Sequence, residues 1–246
     1  MKYYGISDKG KVREQNQDCI YIPTDKDINL YIIADGMGGA NAGDVASKQA
    51  IEHIKKYIYE HYIPEGDNKI KQVIKDALIY ANKEVYNMSI QDENLNGMGT
   101  TVIAILVCNN KMYIGHIGDS RLYRIRNNLI RKITKDHSYV QKLVDDKTIT
   151  KKEARCHPRR NVLLKALGCE MQVEPDVMMK KIEPNDYVIL CTDGLTNMVK
   201  DKEILLVVDN LKETKSICEK LVSMANERGG YDNISIIVLH NDCVEV

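Results

Sequence analysis

The 246-residue sequence has no tryptophan and no phenylalanine, and only 5 prolines beside 15 glycines. Without the two largest apolar rings, the core has to be aliphatic, built from Ile, Leu, Val, Met and Ala. The 14 tyrosines are expected at its margins, with their hydroxyls reaching polar partners. So little Gly and Pro excludes collagen-like and low-complexity chains. Net charge is missing as well, since 35 basic residues balance 35 acidic ones. A general nucleic-acid binder relies on neutralising phosphates, so this balance argues against nucleic acid as a partner. No run is long enough for a membrane span: the longest strictly apolar stretch is Val102 to Cys108. Met1-Lys2-Tyr3-Tyr4-Gly5 carries no apolar signal segment. The 7 cysteines are odd in number and scattered, with no C-x-x-C pair. That argues against a disulfide framework or a Cys-bound zinc, and for reduced thiols in the cytoplasm.

What remains is ordinary globular composition, 43% apolar and 28% charged, on a chain long enough to bury a sizeable core. No repeat or linker divides it, so residues 1–246 read as a single domain. The hydrophobic period alternates between two and 3.6. Tyr3 to Ser7, Cys19 to Ile22 and Leu30 to Ala34 read as strands, the last ending at Asp35 and followed by a flexible turn over Gly36-Met37-Gly38-Gly39. One helix is marked by Val45, Ala50, Ile51, Ile54 and Ile58, a second by Ile70, Val73, Ile74, Ala77, Leu78, Ala81 and Val85. Each carries one apolar stripe and needs a surface to cover.

Asn109-Asn110 and Asn127-Asn128 each separate two strand-like runs, Thr101 to Cys108 from Lys111 to Ile117 and Leu122 to Ile125 from Leu129 to Ile133. These are hairpin signals and predict an antiparallel meander. Ser138 to Arg160 is polar and predicts two short helices, the second starting at the capping-box spacing of Thr150 and Glu153. Val173 to Met179, Tyr187 to Cys191 and Ile234 to Leu239 read as strands, and Ile217, Leu221, Val222 and Ala225 mark a C-terminal helix. Helix pairs beside antiparallel strands imply stacked layers rather than a parallel sheet.

The chemistry-bearing residues are acidic. Asp35, Asp119, Asp193 and Asp232 each lie near a strand end beside Gly or Asn. One such Asp is ordinarily a turn residue. Four converging carboxylates repel unless cations lie between them. Oxygen-only donors favour hard ions such as Mg or Mn. Two such ions can lower the pKa of water and support in-line displacement at phosphorus.

Arg13-x-x-Asn16-Gln17-Asp18, Asp35-Gly36-Met37-Gly38-Gly39, Gly99-Thr100-Thr101, Gly118-Asp119-Ser120-Arg121, Asp136-His137-Ser138, Asp193-Gly194 and Asp232-Asn233 follow in order from about Gly5 to Val238. This ordered set resembles the metal-dependent Ser/Thr protein phosphatases, the protein phosphatase type 2C family in its compact bacterial form. The resemblance implies an α+β fold, a four-layer αββα sandwich of two antiparallel sheets flanked by helix pairs, with a flap at about 145–164. It implies hydrolysis of phosphoserine and phosphothreonine on proteins by direct attack of a metal-activated water, and two or three Mn or Mg ions. Asp35 would bridge two metals, the Gly36 carbonyl would join the first, and Asp193 and Asp232 would hold the second. Asp119 would help Asp193 hold a third, Asp18 would act from the outer shell, and Arg13 would clamp the substrate phosphate. A cognate Ser/Thr kinase, phosphorylated protein substrates and a monomer are the expected partners and state, with no membrane association.

Two positions depart from the family pattern. Many eukaryotic members carry His, proposed as general acid, where Met37 stands, so leaving-group protonation needs another source, such as a water on a third ion. Gln17 replaces a Glu of some members and removes one outer-shell charge. Among the remaining polar residues, His137 is expected to hydrogen-bond structurally, His157 to lie at the surface and Asp136 to serve a turn. Ser120 lacks a nucleophile elbow and is expected to be packed. Arg131, Lys132, Lys135, Lys151 and Lys152 read as a solvated basic face. Two other functions stay open: a phosphohydrolase of small phosphoesters, separated by comparing a phosphothreonine peptide with a nucleotide, and a catalytically silent binding module, separated by metal binding without turnover.

Overall fold

The structure, a computed structural model, describes residues 1–24 and 28–242, with residues 39–41 described as backbone only. Its strands form two antiparallel sheets. One contains β1 (Lys2–Asp8), β7 (Arg121–Arg126), β8 (Leu129–Lys132), β10 (Tyr187–Cys191) and β11 (Ile234–His240), in the order β1-β11-β10-β7-β8. The other contains β2 (Asp18–Tyr21), β3 (Leu30–Met37), β5 (Val102–Cys108), β6 (Lys111–Ile117) and β9 (Asp176–Lys181), in the order β2-β3-β5-β6-β9, and the two-residue β4 (Gly99–Thr100) pairs with the end of β3.

The strands read as near-continuous apolar runs because both of their faces are buried. In β3, Tyr31 and Ile33 face the other sheet, packing with Ile103, Ile105, Leu122, Val188, Leu190 and Ile237. Leu30, Ile32 and Ala34 point the opposite way, onto α1 (Gly39–His61) and α2 (Asp67–Gln91). On the far side, Ile189, Ile236 and Val238 pack under α5 (Asp193–Thr196), α6 (Asp201–Leu211) and α7 (Thr214–Glu227). The order is helices, sheet, sheet, helices. Each fully buried Ile in these layers contributes about 1.5–3 kcal/mol of transfer free energy. Among the described residues, no helix is long and apolar enough to cross a membrane.

Several expectations need correction. The segment Gly36-Met37-Gly38-Gly39 is not a free turn: β3 continues through Met37, and α1 begins at Gly39 after one residue, Gly38, at φ 120°. The two Asn-Asn hairpins form as expected, but they do not make one meander. The first joins β5 to β6 in one sheet and the second joins β7 to β8 in the other, and the chain changes sheet at Gly118–Ser120. The strand expected from Val173 starts at Asp176, after Pro175, which has no N–H to give to a ladder. α6 was hidden by the uninterrupted apolar run from Ile204 to Val208, which buries only Ile204 and Val208 and leaves Leu206 exposed.

The tyrosines are not all marginal. Tyr31, Tyr113 and Tyr123 are among the largest fully buried side chains. Tyr113 and Tyr123 do reach polar partners, donating to Asp67 and Asp201. Tyr31 lies between the sheets with its hydroxyl unpartnered, and burial pushes that hydroxyl well above its ordinary range.

Candidate metal centre and active site

The sheets meet at one end in a cleft of about 560 Å³. Its wall includes Arg13, Asp35, Gly36, Met37, Thr101, Asp119, Asp193, Asp232 and Asn233. Residues from 13 to 233 are thus gathered at one place by strand ends that the sandwich fixes.

Each carboxylate has its own local cause. Asp35 sits on β3 directly opposite Asp18 on β2. Thr101, between β4 and β5, grips Asp35: its hydroxyl accepts from the Asp35 N–H at 3.1 Å, and its own N–H donates to the Asp35 carbonyl at 2.9 Å. Asp193 opens α5 and Asp119 occupies the crossover between the sheets. The two Asp-Gly pairs share one requirement. A Cβ at Gly36 would collide with the Gly43 carbonyl of α1, and a Cβ at Gly194 with the Asn233 carbonyl. Glycine is needed after each Asp because another backbone passes directly behind it.

Asp18 lies behind the cleft, 7% exposed. The Thr192 hydroxyl donates to its Oδ2 at 2.9 Å, while Oδ1 is buried without a partner. Asn233 ties the far loop to the N-terminal segment: its Oδ1 accepts from the Gln17 N–H, and its Nδ2 donates to the Lys9 and Gln15 carbonyls. Thr101, Thr192 and Asn233 had no assigned role in the sequence, although Thr101 and Asn233 fall inside the quoted motifs. Arg13 stands half in solvent at the rim, its Nη2 donating to Asp232 Oδ2 at 2.9 Å.

The electrostatics are those of buried carboxylates that repel one another more than Arg13 and Arg121 offset. Burial, and then repulsion from Asp18, Asp193, Asp119 and Asp232, drive the Asp35 carboxyl well above the usual carboxylate range. Burial and neighbouring carboxylates push Asp18 and Asp119 up to about 7. Asp193 is raised by burial and by Asp232. A set of hard oxygen donors with an orphaned buried carboxylate oxygen and mutually raised affinities fits divalent cations such as Mn or Mg.

The other candidates are placed elsewhere. Ser120 is fully buried and its hydroxyl shares a 2.8 Å hydrogen bond with Thr101, as expected of a packed residue. Asp136 is not a turn residue. It is the buried anion of an ion cluster, held by the Arg121 guanidinium at 2.8 and 3.0 Å and by Lys132 at 2.9 Å. Lys132 stays exposed while its ammonium reaches in to Asp136, and Lys135 pairs with Asp145 at 2.8 Å. Met37 lines the cleft, so that position offers no titratable group. His157 is tied locally, its Nδ1 accepting from the Arg159 N–H.

Over one side of the cleft stands an excursion containing α3 (Tyr139–Asp145) and α4 (Lys151–Cys156), neither of which buries a side chain. It begins at Ser138 rather than near Asp145. Ser138 and Leu163 form a bridge at its base, and the Tyr139 and Leu164 N–H groups donate to Val162 and His137 carbonyls. The capping box at Thr150 and Glu153 forms as the spacing predicts. A second cavity of about 590 Å³ lies beneath this excursion and shares Asp119, Asn161 and Asp193 with the first.

Among the described residues, one group of three His, Cys, Asp or Glu donors draws within 4.8 Å of one another, and it is not the acidic set: His116, His137 and Asp176 cluster behind Asp119. Like-charged carboxylates hold apart, whereas two neutral imidazoles and one carboxylate do not.

A sequence profile of the protein phosphatase 2C family matches residues 10–234. The serine/threonine phosphatase stp of Listeria monocytogenes serotype 4b is 35% identical over 240 residues, covering 97% of this chain and 95% of that protein. The crystal structure of serine/threonine phosphatase Stp1 from Staphylococcus aureus superimposes with a TM-score of 0.91 at 31% identity, covering 100% of this chain and 95% of that one. The catalytic domain of PstP, solved in complex with two manganese ions, gives a TM-score of 0.85 at 34% identity over 96% of each chain.

Proposed function

The chain belongs to the protein phosphatase 2C family, and from that premise we infer that its acid-lined cleft hydrolyses phosphoserine and phosphothreonine esters on proteins. It is a metal-dependent protein serine/threonine phosphatase. The observation that carries the reading at this site is the convergence of Asp35, Asp119, Asp193 and Asp232 beside Arg13, where burial and neighbouring carboxylates raise the proton affinities of Asp35, Asp119 and Asp193.

Asp35, the Gly36 carbonyl, Asp193 and Asp232 are the groups that would hold two ions. Asp119 with Asp193 would hold a third, and Asp18 supports the set from behind through Thr192. Bound Mn or Mg supplies charge neutralisation at the phosphate and lowers the pKa of water enough to give a nucleophile at neutral pH. Attack on phosphorus is direct. Ser120 Oγ is buried and engaged, and no Cys, His or Ser lines the cleft among the described residues. Arg13 leaves Asp232 to hold two phosphate oxygens with its planar fork, fixing the ester in line for displacement. Leaving-group protonation does not come from position 37, because Met37 has no proton to give.

Residues 1–246 act as one catalytic unit, with the excursion that includes residues 145–164 as its flap. All of these side chains come from one chain, which favours a monomer. Its substrates are phosphorylated proteins, and a cognate Ser/Thr kinase supplies them. A cytoplasmic location fits the six described cysteines, all free; Cys243 lies outside the described residues. The test is release of phosphate from a phosphothreonine peptide and from a nucleotide, each with Mn, Mg or chelator. Hydrolysis of the peptide that depends on metal supports the reading, and preference for the nucleotide contradicts it.

A further inference from the structure

The cluster of His116, His137 and Asp176 has the donor set of a metal site, but its hydrogen bonds spend the lone pairs that a metal would need. The Gly118 N–H donates to His137 Nδ1 at 3.1 Å. That nitrogen must therefore be bare, and the ring proton sits on Nε2. The Asp176 carboxylate lies 3.2 Å from that Nε2, an electrostatic contact that suits the proton there without making an aligned hydrogen bond. A neutral ring so committed has no second lone pair to offer a cation. His116 is fixed the other way round: its Nε2 lies 3.1 Å from the Ser120 carbonyl and donates to it, and its Nδ1 is buried without a partner, facing the His137 ring across 4.7 Å between centroids.

These bonds converge on the residues either side of Asp119. His137 takes both backbone polar groups of Gly118, accepting from its N–H through Nδ1 and donating its own N–H to the Gly118 carbonyl at 2.8 Å. Gly118 needs that grip because it sits at φ 106°, where the chain crosses from one sheet to the other. Ser120, on the other side, is held by His116 through its carbonyl and by Thr101 through its hydroxyl, and Thr101 also grips Asp35. The carboxylate of Asp119 is thus aimed by a turn whose two flanks are each fixed by an imidazole.

We propose that His137 is a positioning residue: in the Nε2–H tautomer fixed by the Gly118 N–H at its Nδ1, it clamps Gly118 and thereby holds Asp119 toward the ion site, with His116 bracing Ser120 from behind. The proposal rests on the assignment of Asp119 as a metal ligand made above. It explains why two histidines lie against each other behind the cleft without lining it. Residues that orient a ligand typically govern metal affinity by 10- to 100-fold.

His137→Asn keeps an acceptor near the place of Nδ1, whereas His137→Leu removes it at similar bulk. In metal-free protein, amide exchange at Gly118 is expected to quicken about tenfold or more in H137L and to stay within about threefold of wild type in H137N. The Mn-binding step lost in Asp119→Ala, followed by calorimetry, is expected to weaken about tenfold in H137L and to be largely restored in H137N. Ring ¹⁵N shifts of the wild type should place the proton on Nε2 of His137. If H137L does not fold, the wild-type ring shifts and the H137N exchange rate decide alone. Equal damage in H137N and H137L, unchanged Gly118 exchange in H137L, a proton on Nδ1, or Zn bound by His116 and His137 would each overturn the proposal. Failure of wild type to hydrolyse a phosphothreonine peptide in Mn would instead count against the phosphatase reading, and the exchange data would still report on the clamp.

Discussion

Two sets of buried aspartates in this protein have opposite fates. Asp136 is gripped by Arg121 and Lys132, and Asp186, fully buried, is held by the Arg126 guanidinium. Asp18, Asp35, Asp119 and Asp193 are packed around the cleft with one another as near neighbours. Burial pushes Asp136 up, but the charges and hydrogen bonds of Arg121 and Lys132 bring it below the usual carboxylate value. Hydroxyl hydrogen bonds to Asp18 and the more distant Arg121 charge near Asp119 do not offset burial and repulsion, and both rise to about 7. The same side chain at similar depth is a structural anion in one place and an unmet demand for positive charge in the other. The first kind needs its own arginine. The second kind needs a cation that the chain does not encode.

Breaking the cleft set has the largest expected effect on activity. Asp193→Ala should lower Mn-dependent hydrolysis of a phosphothreonine peptide by about four orders of magnitude, or ~5 kcal/mol of barrier, while circular dichroism stays native. Activity within twofold of wild type would refute the assignment. Breaking the paired set should instead cost stability. Asp186→Ala leaves the Arg126 guanidinium without its main partner and should destabilise the fold by about 3 kcal/mol in denaturant unfolding. Asp35→Asn, measured in chelator, should leave stability unchanged or raise it, because it removes a repelled charge. A loss in Asp35→Asn as large as in Asp186→Ala would erase the distinction between the two sets.

The pH dependence sharpens the comparison further. Protonated Asp18 and Asp119 favour the folded state, since their folded values near 7 stand above the unfolded ones. Their contribution is complete below about pH 4 and is lost as pH rises through about 7. Asp136 has the opposite sign: its contribution is present above the unfolded carboxylate value and is lost as pH falls through its lowered folded value. Chelated protein should therefore lose melting temperature between about pH 4 and 7, and saturating Mn should flatten that loss. A melting temperature that rises over this range in chelator would contradict the cleft electrostatics. Smallest is the effect at the rim, where Arg13→Ala should raise KM for the phosphopeptide about tenfold (~1.4 kcal/mol) with little change in kcat. A change confined to kcat would contradict a phosphate clamp.

Local chemistry was legible in the sequence wherever a short rule suffices. The Asn-Asn hairpins appear because both residues adopt positive φ, 51° and 55° in one and 49° and 56° in the other. The stripe on the second helix reads correctly because Ile70, Ile74, Ala77, Leu78, Ala81 and Val85 are buried, with Val73 half-buried against the same core. What stayed hidden depends on distant partners. A period of two does not say which sheet a hairpin joins, so the crossover at Gly118–Ser120 was missed. α6 has no polar interruption over Ile204 to Val208 from which to read a helical period. The ordered motifs pointed to the cleft aspartates and Arg13, but the bonds that hold the site reach across the chain, as from Thr192 to Asp18 and from Asn233 to Gln17. Asp136 reads as a turn residue in the sequence because neither Arg121 nor the fold around it is implied by Asp136-His137-Ser138.

The most direct measurement is phosphate release from a phosphothreonine peptide by chelator-stripped protein as Mn is added back. The account predicts no turnover in excess chelator and saturable recovery with Mn. Full turnover in excess chelator would contradict it.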